Sequence, residues 1–568
     1  MTHVGGTGRL GEVHIDLGRT WARPGEVVPV RVAVPAGGAR VRLTLLDLDR
    51  ELSTVARRVP AEGGTAAFRV RLPGDADGAT GRGYGVRAEL LDRSGAVLDA
   101  AESAVEALEG WWQAPRHAAL VAFRDPVATA ADMRALRTWH VTVAQAYDWM
   151  WRHYRYLPPG GAPEFTDTLG RVVSLDAVRA AVRAGHAAGI ATLAYGSVYG
   201  AEREHVEAHP EDRVLDADGR PLSLGETFFI NDVRPGTPWR ARLLDEYATA
   251  MRRIGFDGIH MDTYGPPYHG VAVDGSPVDF AAAYPSLIAE GAARVAAARP
   301  GGRVLFNCVE GFPLEAVAPA PAAALYLELW PPDERYADLV RWIDRSRAVA
   351  AGRAVVIAAY AAAMKDPAAI LEPGARAAAF EASLLTTSVI AAAGAFHHTI
   401  AAPDRLLIEG YYPAAIPMCA AERRDLAAAW AFGARYLHLL SDPRAEVVPI
   451  DDLALADGSG AAVPVSAIPQ VGAVWARATR LPDGTRVVSL VDLGDQADDR
   501  WVAPGTVSRV RRGWSVRSTG VAAETVRVAS PWSADGAAMA PADRGGELRL
   551  PVWRRWILLV APAESASR

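Results

Sequence analysis

The chain has 568 residues, half of them hydrophobic, and a formal net charge of −6. That length is ample for a large core and for more than one domain. The charge is spread without long runs, which excludes the basic stripe of a nucleic-acid binder. Two cysteines, Cys308 and Cys419, exclude a disulfide scaffold, and no Cys/His spacing calls for zinc or for another cofactor. No stretch is long and apolar enough to span a membrane. The start shows no basic region followed by an apolar one, so a cytoplasmic protein is expected, or a secreted one if a leader has been trimmed away.

Residues 1–109 give short alternating runs such as "VVPVRVAVP" and "ARVRLTLLD", punctuated by Gly, Pro and Asp. This pattern predicts an N-terminal immunoglobulin-like β-sandwich. "EGWWQAPRH" (109–117) reads as a linker. Over 110–440 the pattern changes to strand-length apolar runs alternating with Ala-rich helical stretches. Eight candidate strands are readable, at 117–123, 141–149, 191–199, 257–265, 303–310, 324–330, 354–362 and 389–396. Strand–helix alternation repeated eight times predicts a central (β/α)8 barrel. No Gly-rich phosphate fingerprint follows the first strand, which weighs against a dinucleotide-binding open sheet. Residues 441–568 return to strands, with a hairpin through Pro482-Asp483-Gly484, and read as a C-terminal antiparallel β-sandwich. Its Trp501 and Trp532 read as packing residues rather than a sugar-binding surface.

In this architecture reactive side chains sit at the carboxyl ends of strands. The stretch "GFDGIHMDTYG" (255–265) ends its apolar run on Asp262. Alternation along the strand sends Gly258, His260 and Asp262 to one face and Ile259 and Met261 to the other. "LYLELW" repeats the arrangement: Leu325, Leu327 and Leu329 share one face, and Tyr326, Glu328 and Trp330 the other. Asp262 and Glu328 are 66 residues apart. Two barrel units need roughly 62 residues, which puts the acids on strands four and six over one cavity. Paired carboxylates across a cleft are the machinery of glycoside hydrolysis. The aromatic neighbours of Glu328 favour its protonated form, and Thr263, Tyr264 and His260 beside Asp262 can bond an ionised one. Asp262 is therefore read as nucleophile and Glu328 as general acid/base, with Glu310, Asp333 and Glu334 as competing acids. Tyr147, Asp148, Trp149, Tyr195, His260, Tyr264, Asn307 and Trp330 supply the rings and polar groups a sugar pocket requires. His397 and His398 read as structural, and no metal is expected.

The stretches "AYDWMWRHY", "AYGSVYGA", "FINDVRPGTPWR", "GFDGIHMDTYG", "LFNCVEG" and "YLELWPP" run in order over residues 117–400, and through them the chain resembles glycoside hydrolase family 66. That family holds endo-dextranases and cycloisomaltooligosaccharide glucanotransferases. The resemblance implies a β-sandwich, a (β/α)8 barrel and a C-terminal β-domain. It also implies a retaining mechanism on α-1,6-linked glucan or isomaltooligosaccharides, with the nucleophile at Asp262 and the acid/base at Glu328. The barrel carries no insertion of ~100 residues like the carbohydrate-binding module of cyclising members, which favours hydrolysis over cyclisation. A transglycosylase and a barrel that only binds carbohydrate are the alternatives.

Overall fold

The computed structural model describes residues 13–74, 81–518, 525–533, 540–541 and 548–563. Its first strands alternate as their sequence does. In Val27–Val34, Val28, Val30 and Val32 are buried while Pro29 and Arg31 face solvent, the period of two of a half-buried strand. With His14–Leu17 and Gly64–Arg71 this strand forms a three-stranded antiparallel sheet. A second, five-stranded sheet holds Trp21–Ala22, Val97–Ala107, Arg82–Leu91, Arg40–Asp47 and Arg50–Arg58. Val30 and Phe68 of the first sheet share one core with Leu43, Val86 and Val105 of the second. The two sheets are thus the layers of a sandwich.

Eight parallel strands follow: β1 (His117–Leu120), β2 (Val143–Ala146), β3 (Ala191–Ser197), β4 (Gly258–Asp262), β5 (Arg303–Val309), β6 (Leu325–Glu328), β7 (Val355–Ala358) and β8 (Phe396–His398, continuing as Ile400–Ala401). Each bonds to the next in parallel. The second half of β8, beyond Thr399, pairs in parallel with β1, so the sheet closes on itself. A helix follows each strand: α1 (Pro126–Ala135), α2 (Leu175–Ala188), α3 (Pro238–Ile254), α4 (Phe280–Ala298), the short α5 (Leu314–Val317), α6 (Tyr336–Val349), α7 (Pro373–Ala392) and α8 (Ala420–Arg435). Parallel neighbours require such crossovers.

The eighth strand lies later than the expected 389–396. Val389–Ala392 is the last turn of α7, and the strand begins at Phe396. Ala391, Ala392 and Ala393 favour helix. Gly394, at φ 88°, is the left-handed residue that ends it.

Strand alternation sorts the barrel's side chains. Ile259, Met261, Phe306, Leu325, Leu327 and Ile357 pack outward under the helices. Leu193, Leu305, Tyr326 and Val356 fill the axis. Full burial of a leucine such as Leu327 stabilises by roughly 1.5–3 kcal/mol, so a register slip that reversed these faces would be excluded energetically. The route into β4 is fixed locally. The Thr237 side chain caps α3, and Gly255, at φ 93°, closes it before Phe256 and Asp257 lead into the strand.

Beyond α8 two further sheets face each other, sharing a core of Leu455, Trp514, Val474, Leu490 and Ile557. The hairpin of Val474–Arg480 and Arg486–Asp492 turns through Pro482-Asp483-Gly484, with Gly484 at φ 88°. This module is bolted to α7 by a buried ion pair. Arg555 donates to the two oxygens of Glu381 at 2.6 and 2.7 Å, and Ser508 adds a third bond at 2.7 Å. Trp501 and Trp532 donate their indole N–H to the carbonyls of Asp333 and Asp425, both at 3.0 Å, and pack the module against the barrel. No helix of the described residues is long and apolar enough to cross a membrane.

Candidate active site

At the carboxyl ends of the barrel strands lies a cleft of about 370 Å³. Asp262 ends β4, Glu328 ends β6, and Asn307 of β5 stands between them. The Asn307 amide nitrogen donates to Asp262 Oδ1 at 2.7 Å and to Glu328 Oε2 at 2.6 Å. Laid end to end, these contacts hold the two oxygens within about 5.3 Å of each other. β5 lies between β4 and β6 in the sheet, so the inward Asn307 can reach the acids on both neighbouring strands.

Burial pushes the Asp262 carboxyl up to about 7, and the neighbouring charge of Glu328 adds to the shift. The bonds from Asn307 and Tyr195 oppose it. Burial raises the Glu328 carboxyl as well, against hydrogen bonds from Tyr360, Asn307 and Trp330. Two like charges this close resist ionising together, so one carboxyl of the pair holds its proton to a higher pH than an isolated acid would.

The groups expected to hold an ionised Asp262 do other work. Thr263 Oγ1 donates to the Asn307 carbonyl at 3.2 Å. The Tyr264 hydroxyl lies 2.7 Å from Ser197 Oγ. Neither ring nitrogen of His260 has a partner among the described residues, and burial pulls this imidazole down to about 3, leaving it neutral. The donors to Asp262, Asn307 and Tyr195, come from the neighbouring strands β5 and β3 rather than from its own chain neighbours.

Tyr147, Asp148, Tyr195, His260, Tyr264 and Trp330 line the cleft with the two acids. Trp149 does not. It is fully buried, gives its indole N–H to the Tyr195 carbonyl at 3.2 Å, and packs edge-on against Tyr156 and Phe256. β2 ends at Ala146, and Asp148 takes a left-handed φ of 44°. That turn breaks the alternation which would otherwise have sent Trp149 inward.

The competing acids lie outside the cleft lining. Glu310, at φ 54°, accepts from the Tyr268 hydroxyl at 2.5 Å. Asp333 accepts from Arg341 and from the Trp342 indole, and Glu334 faces Arg500. His397 is a buried structural residue, bonded to Thr387 and to the Ala359 carbonyl.

The lining residues that sequence reading missed include Tyr360, Tyr412, Phe228 and His153. Tyr360 continues the inward series of Val356 and Ala358, so its place was readable from parity. Tyr412 opens a short helical turn after β8, and Phe228 opens a three-residue strand between β3 and α3, both outside the barrel's own strands. His153 lies between Glu202, at 2.9 Å, and Asp148, at 3.6 Å. Burial disfavours its charge, but the two carboxylates outweigh that and raise it to about 9. Glu202 is correspondingly lowered to about 2, despite its own burial, by His153 and Thr168. The cleft wall thus carries a fixed cation held between two anions.

Among the described residues, one His/carboxylate group has chelating geometry: His209, Glu211 and Asp212. Asp212 already accepts from the Trp239 amide and pairs with His205, and none of the three lines the cleft.

Comparison with known proteins gives a consistent picture. Two curated relatives, both cycloisomaltooligosaccharide glucanotransferases of Niallia circulans, are 24% identical over 386 residues and 25% identical over 384 residues. Each match covers 62% of this chain and 38% of the relative, so the chain spans well under half the length of the curated relatives it matches. The crystal structure of a Paenibacillus cycloisomaltooligosaccharide glucanotransferase, complexed with cycloisomaltoheptaose, shares the fold. Its TM-score is 0.85 at 18% identity, over 97% of this chain and 99% of that one. The family described as glycosyl hydrolase family 66 matches residues 19–542. The chain belongs to glycosyl hydrolase family 66.

Proposed function

We propose that the protein is a retaining glycoside hydrolase that cleaves α-1,6-glucosidic linkages in isomaltooligosaccharides or dextran. The observation that carries this reading is the shared amide of Asn307, which keeps the nearest oxygens of Asp262 and Glu328 within about 5.3 Å. Retaining enzymes hold their carboxyls roughly 5–5.5 Å apart, and inverting ones leave room for a water between them. The α-1,6 linkage is supported by the names of the relatives rather than by the cleft itself.

Asp262, the more exposed of the two acids, attacks the anomeric carbon. Glu328 gives its proton to the departing glycosidic oxygen. A covalent glycosyl ester on Asp262 results, and the bond to the leaving sugar breaks. Glu328, now ionised, takes a proton from the incoming acceptor, which displaces Asp262 from the same face that the leaving group occupied. The rings of Tyr147, Tyr195, Tyr264 and Trp330 offer flat surfaces for sugar C–H faces. Asp148 and His153 offer an acceptor and a donor for hydroxyls.

A second reading is transfer: a sugar hydroxyl replaces water as acceptor and yields elongated or cyclic isomaltooligosaccharides. The relatives named as glucanotransferases favour it. Product profiles on isomaltooligosaccharides and dextran separate the two, since hydrolysis gives short linear oligomers and transfer gives rings or longer chains. Asp262→Ala should lower kcat/KM by several orders of magnitude while sparing sugar binding. Wild-type turnover in that variant refutes the assignment, and binding without turnover in the wild-type protein would mark a carbohydrate-binding barrel instead.

A further inference from the structure

Glu202 lies between the two-residue strand Gly200–Ala201 and the helix Arg203–Ala208, on the connection that leaves β3. It is 3% exposed and stands outside the cleft lining, and the reaction as described makes no use of it. The backbone N–H of His153 bonds to its two carboxylate oxygens at 3.0 and 3.1 Å. Nδ1 of the same histidine lies 2.9 Å from Oε1, and the Thr168 hydroxyl donates to that oxygen. Burial opposes a charge here, but the bonds from His153 and Thr168 outweigh it and bring the carboxyl down to about 2. Among the described residues no arginine or lysine pairs with Glu202, and His153 is its ionic partner. One histidine is therefore gripped at two points, main chain and ring, by one buried anion.

The other ring nitrogen, Nε2, lies 3.6 Å from Asp148 Oδ1. His153 and Asp148 both line the cleft while Glu202 does not, so Nε2 is the nitrogen on the substrate side. With a proton on Nδ1 alone, the ring would turn a bare lone pair toward a carboxylate. Glu202 would then be a buried charge with no counterion. Protons on both nitrogens remove both costs. At 3.6 Å the Nε2–H is too far from Asp148 for a hydrogen bond, so it is left for a third atom. The remaining neighbours bring no competing charge to the ring. Arg171 is committed elsewhere, 3.3 Å from Asp148 Oδ2 and 2.6 Å from Asp167. Tyr195 and Phe228 pack edge-on to the imidazole, with ring centroids 6.0 and 4.5 Å away.

We propose that Glu202 is a positioning residue for substrate binding: it fixes the His153 ring and keeps both ring nitrogens protonated, so that Nε2 presents a charged N–H to a hydroxyl of the bound glucosyl unit. The hydroxyl oxygen accepts from Nε2, and a charged donor holds it more strongly than a neutral one. The proton of that hydroxyl, or of its neighbour on the sugar ring, is free to go to Asp148. No proton changes owner. Because the cation persists while Asp262 and Glu328 titrate, the grip on the sugar stays constant over the pH range in which the reaction runs. The inference rests on the glucan substrate proposed above and adds to that site a third carboxylate, one that acts through an imidazole without touching sugar.

The ring is read directly by NMR of protein labelled with 15N-histidine. The His153 signals, assigned by their loss in His153→Gln, should show both nitrogens protonated at pH 8 without sugar. Burial works against that charge, but the bonds to Asp148 and Glu202 outweigh it and delay its loss to about 9. A ring that loses its proton near the ordinary histidine value of about 6.5 overturns the proposal. Glu202→Gln keeps the size and an acceptor oxygen but removes the charge, so the His153 proton should be lost about two pH units lower. KM for an isomaltooligosaccharide should then be near wild type at pH 5 and raised about tenfold at pH 8, with a smaller change in kcat. In the wild-type enzyme KM should stay level between those values. A variant KM as level as wild type, or KM and kcat falling off alike at both pH values as a purely structural glutamate requires, refutes the assignment. Should Glu202→Gln fail to fold, the wild-type titration decides alone. If the wild-type protein cleaves no glucan, the calorimetric Kd for the same oligosaccharide replaces KM. The same pH split then refutes the glycosidase reading and keeps the positioning role, and absence of binding overturns both.

Discussion

Replacing Asn307 by leucine keeps the approximate volume of the side chain and removes one amide from between two buried acids. The amide nitrogen bonds to Asp262 at 2.7 Å and Glu328 at 2.6 Å. A hydrogen bond to a charged group contributes roughly 1.5–3 kcal/mol. The pair holds one proton, so one ionised carboxylate loses its donor. At 1.36 kcal/mol per unit, the acidic limb of activity should move up by about 1–2 pH units. The sign is fixed: the amide favours the charged form, so its removal raises the carboxyl that must ionise to attack. The acids also lose their common anchor, and kcat/KM at the optimum should fall by about tenfold to a hundredfold. The assay is release of reducing ends from an isomaltooligosaccharide across pH 4–9, with circular dichroism to verify folding. A folded variant with an unmoved acidic limb would refute the claim that Asn307 sets the ionisation of the pair.

Three further outcomes follow from the same geometry. The raised carboxyl of Asp262 means that the native state binds this proton more tightly than the unfolded chain does, so ionising it between about pH 4 and pH 7 works against the fold. Asp262→Asn should therefore raise the unfolding midpoint at pH 8 and leave it near wild type at pH 4, as read by differential scanning calorimetry. Trp149→Ala should lower stability by roughly 3–5 kcal/mol, as for other buried large-to-small changes, without changing KM in the remaining folded enzyme. Arg555→Ala leaves Glu381 charged, buried and without its main partner, and should cost about 3–5 kcal/mol, visible as faster proteolysis between the barrel and the C-terminal module.

What could be read in the sequence was whatever a period of two controls. Asp262, Asn307 and Glu328 sit on strands whose outward positions are Ile259, Met261, Phe306, Leu325 and Leu327, and that contrast alone sends the polar partners inward. The same logic reached His260, and would have reached Tyr360 had it been applied along the expected strand 354–362. It failed where the period stops. Asp148 turns left-handed and carries Trp149 out of the site. The alanines before Gly394 look equally apolar as helix or strand, and helix propensity decides between them. Tyr412 and Phe228 belong to short elements in the connections above the barrel, whose placement depends on what the barrel mouth leaves open. The bond from Asn307 to both acids was beyond reach for a different reason. Sequence shows that these three groups point inward near the ends of their strands, but not which of them touch.

The closure of β8 onto β1 has a bearing on how this enzyme can diversify. With the ring closed, the acids and the amide they share form a floor that tolerates little adjustment. The choice between water and sugar as acceptor must then be made above that floor, by side chains free to vary. Tyr411, 42% exposed, and Leu224, 48% exposed, stand at the rim of the same cleft. Under the proposed activity, exchange of such rim residues with the two acids untouched is where a preference between water and a sugar acceptor would be changed.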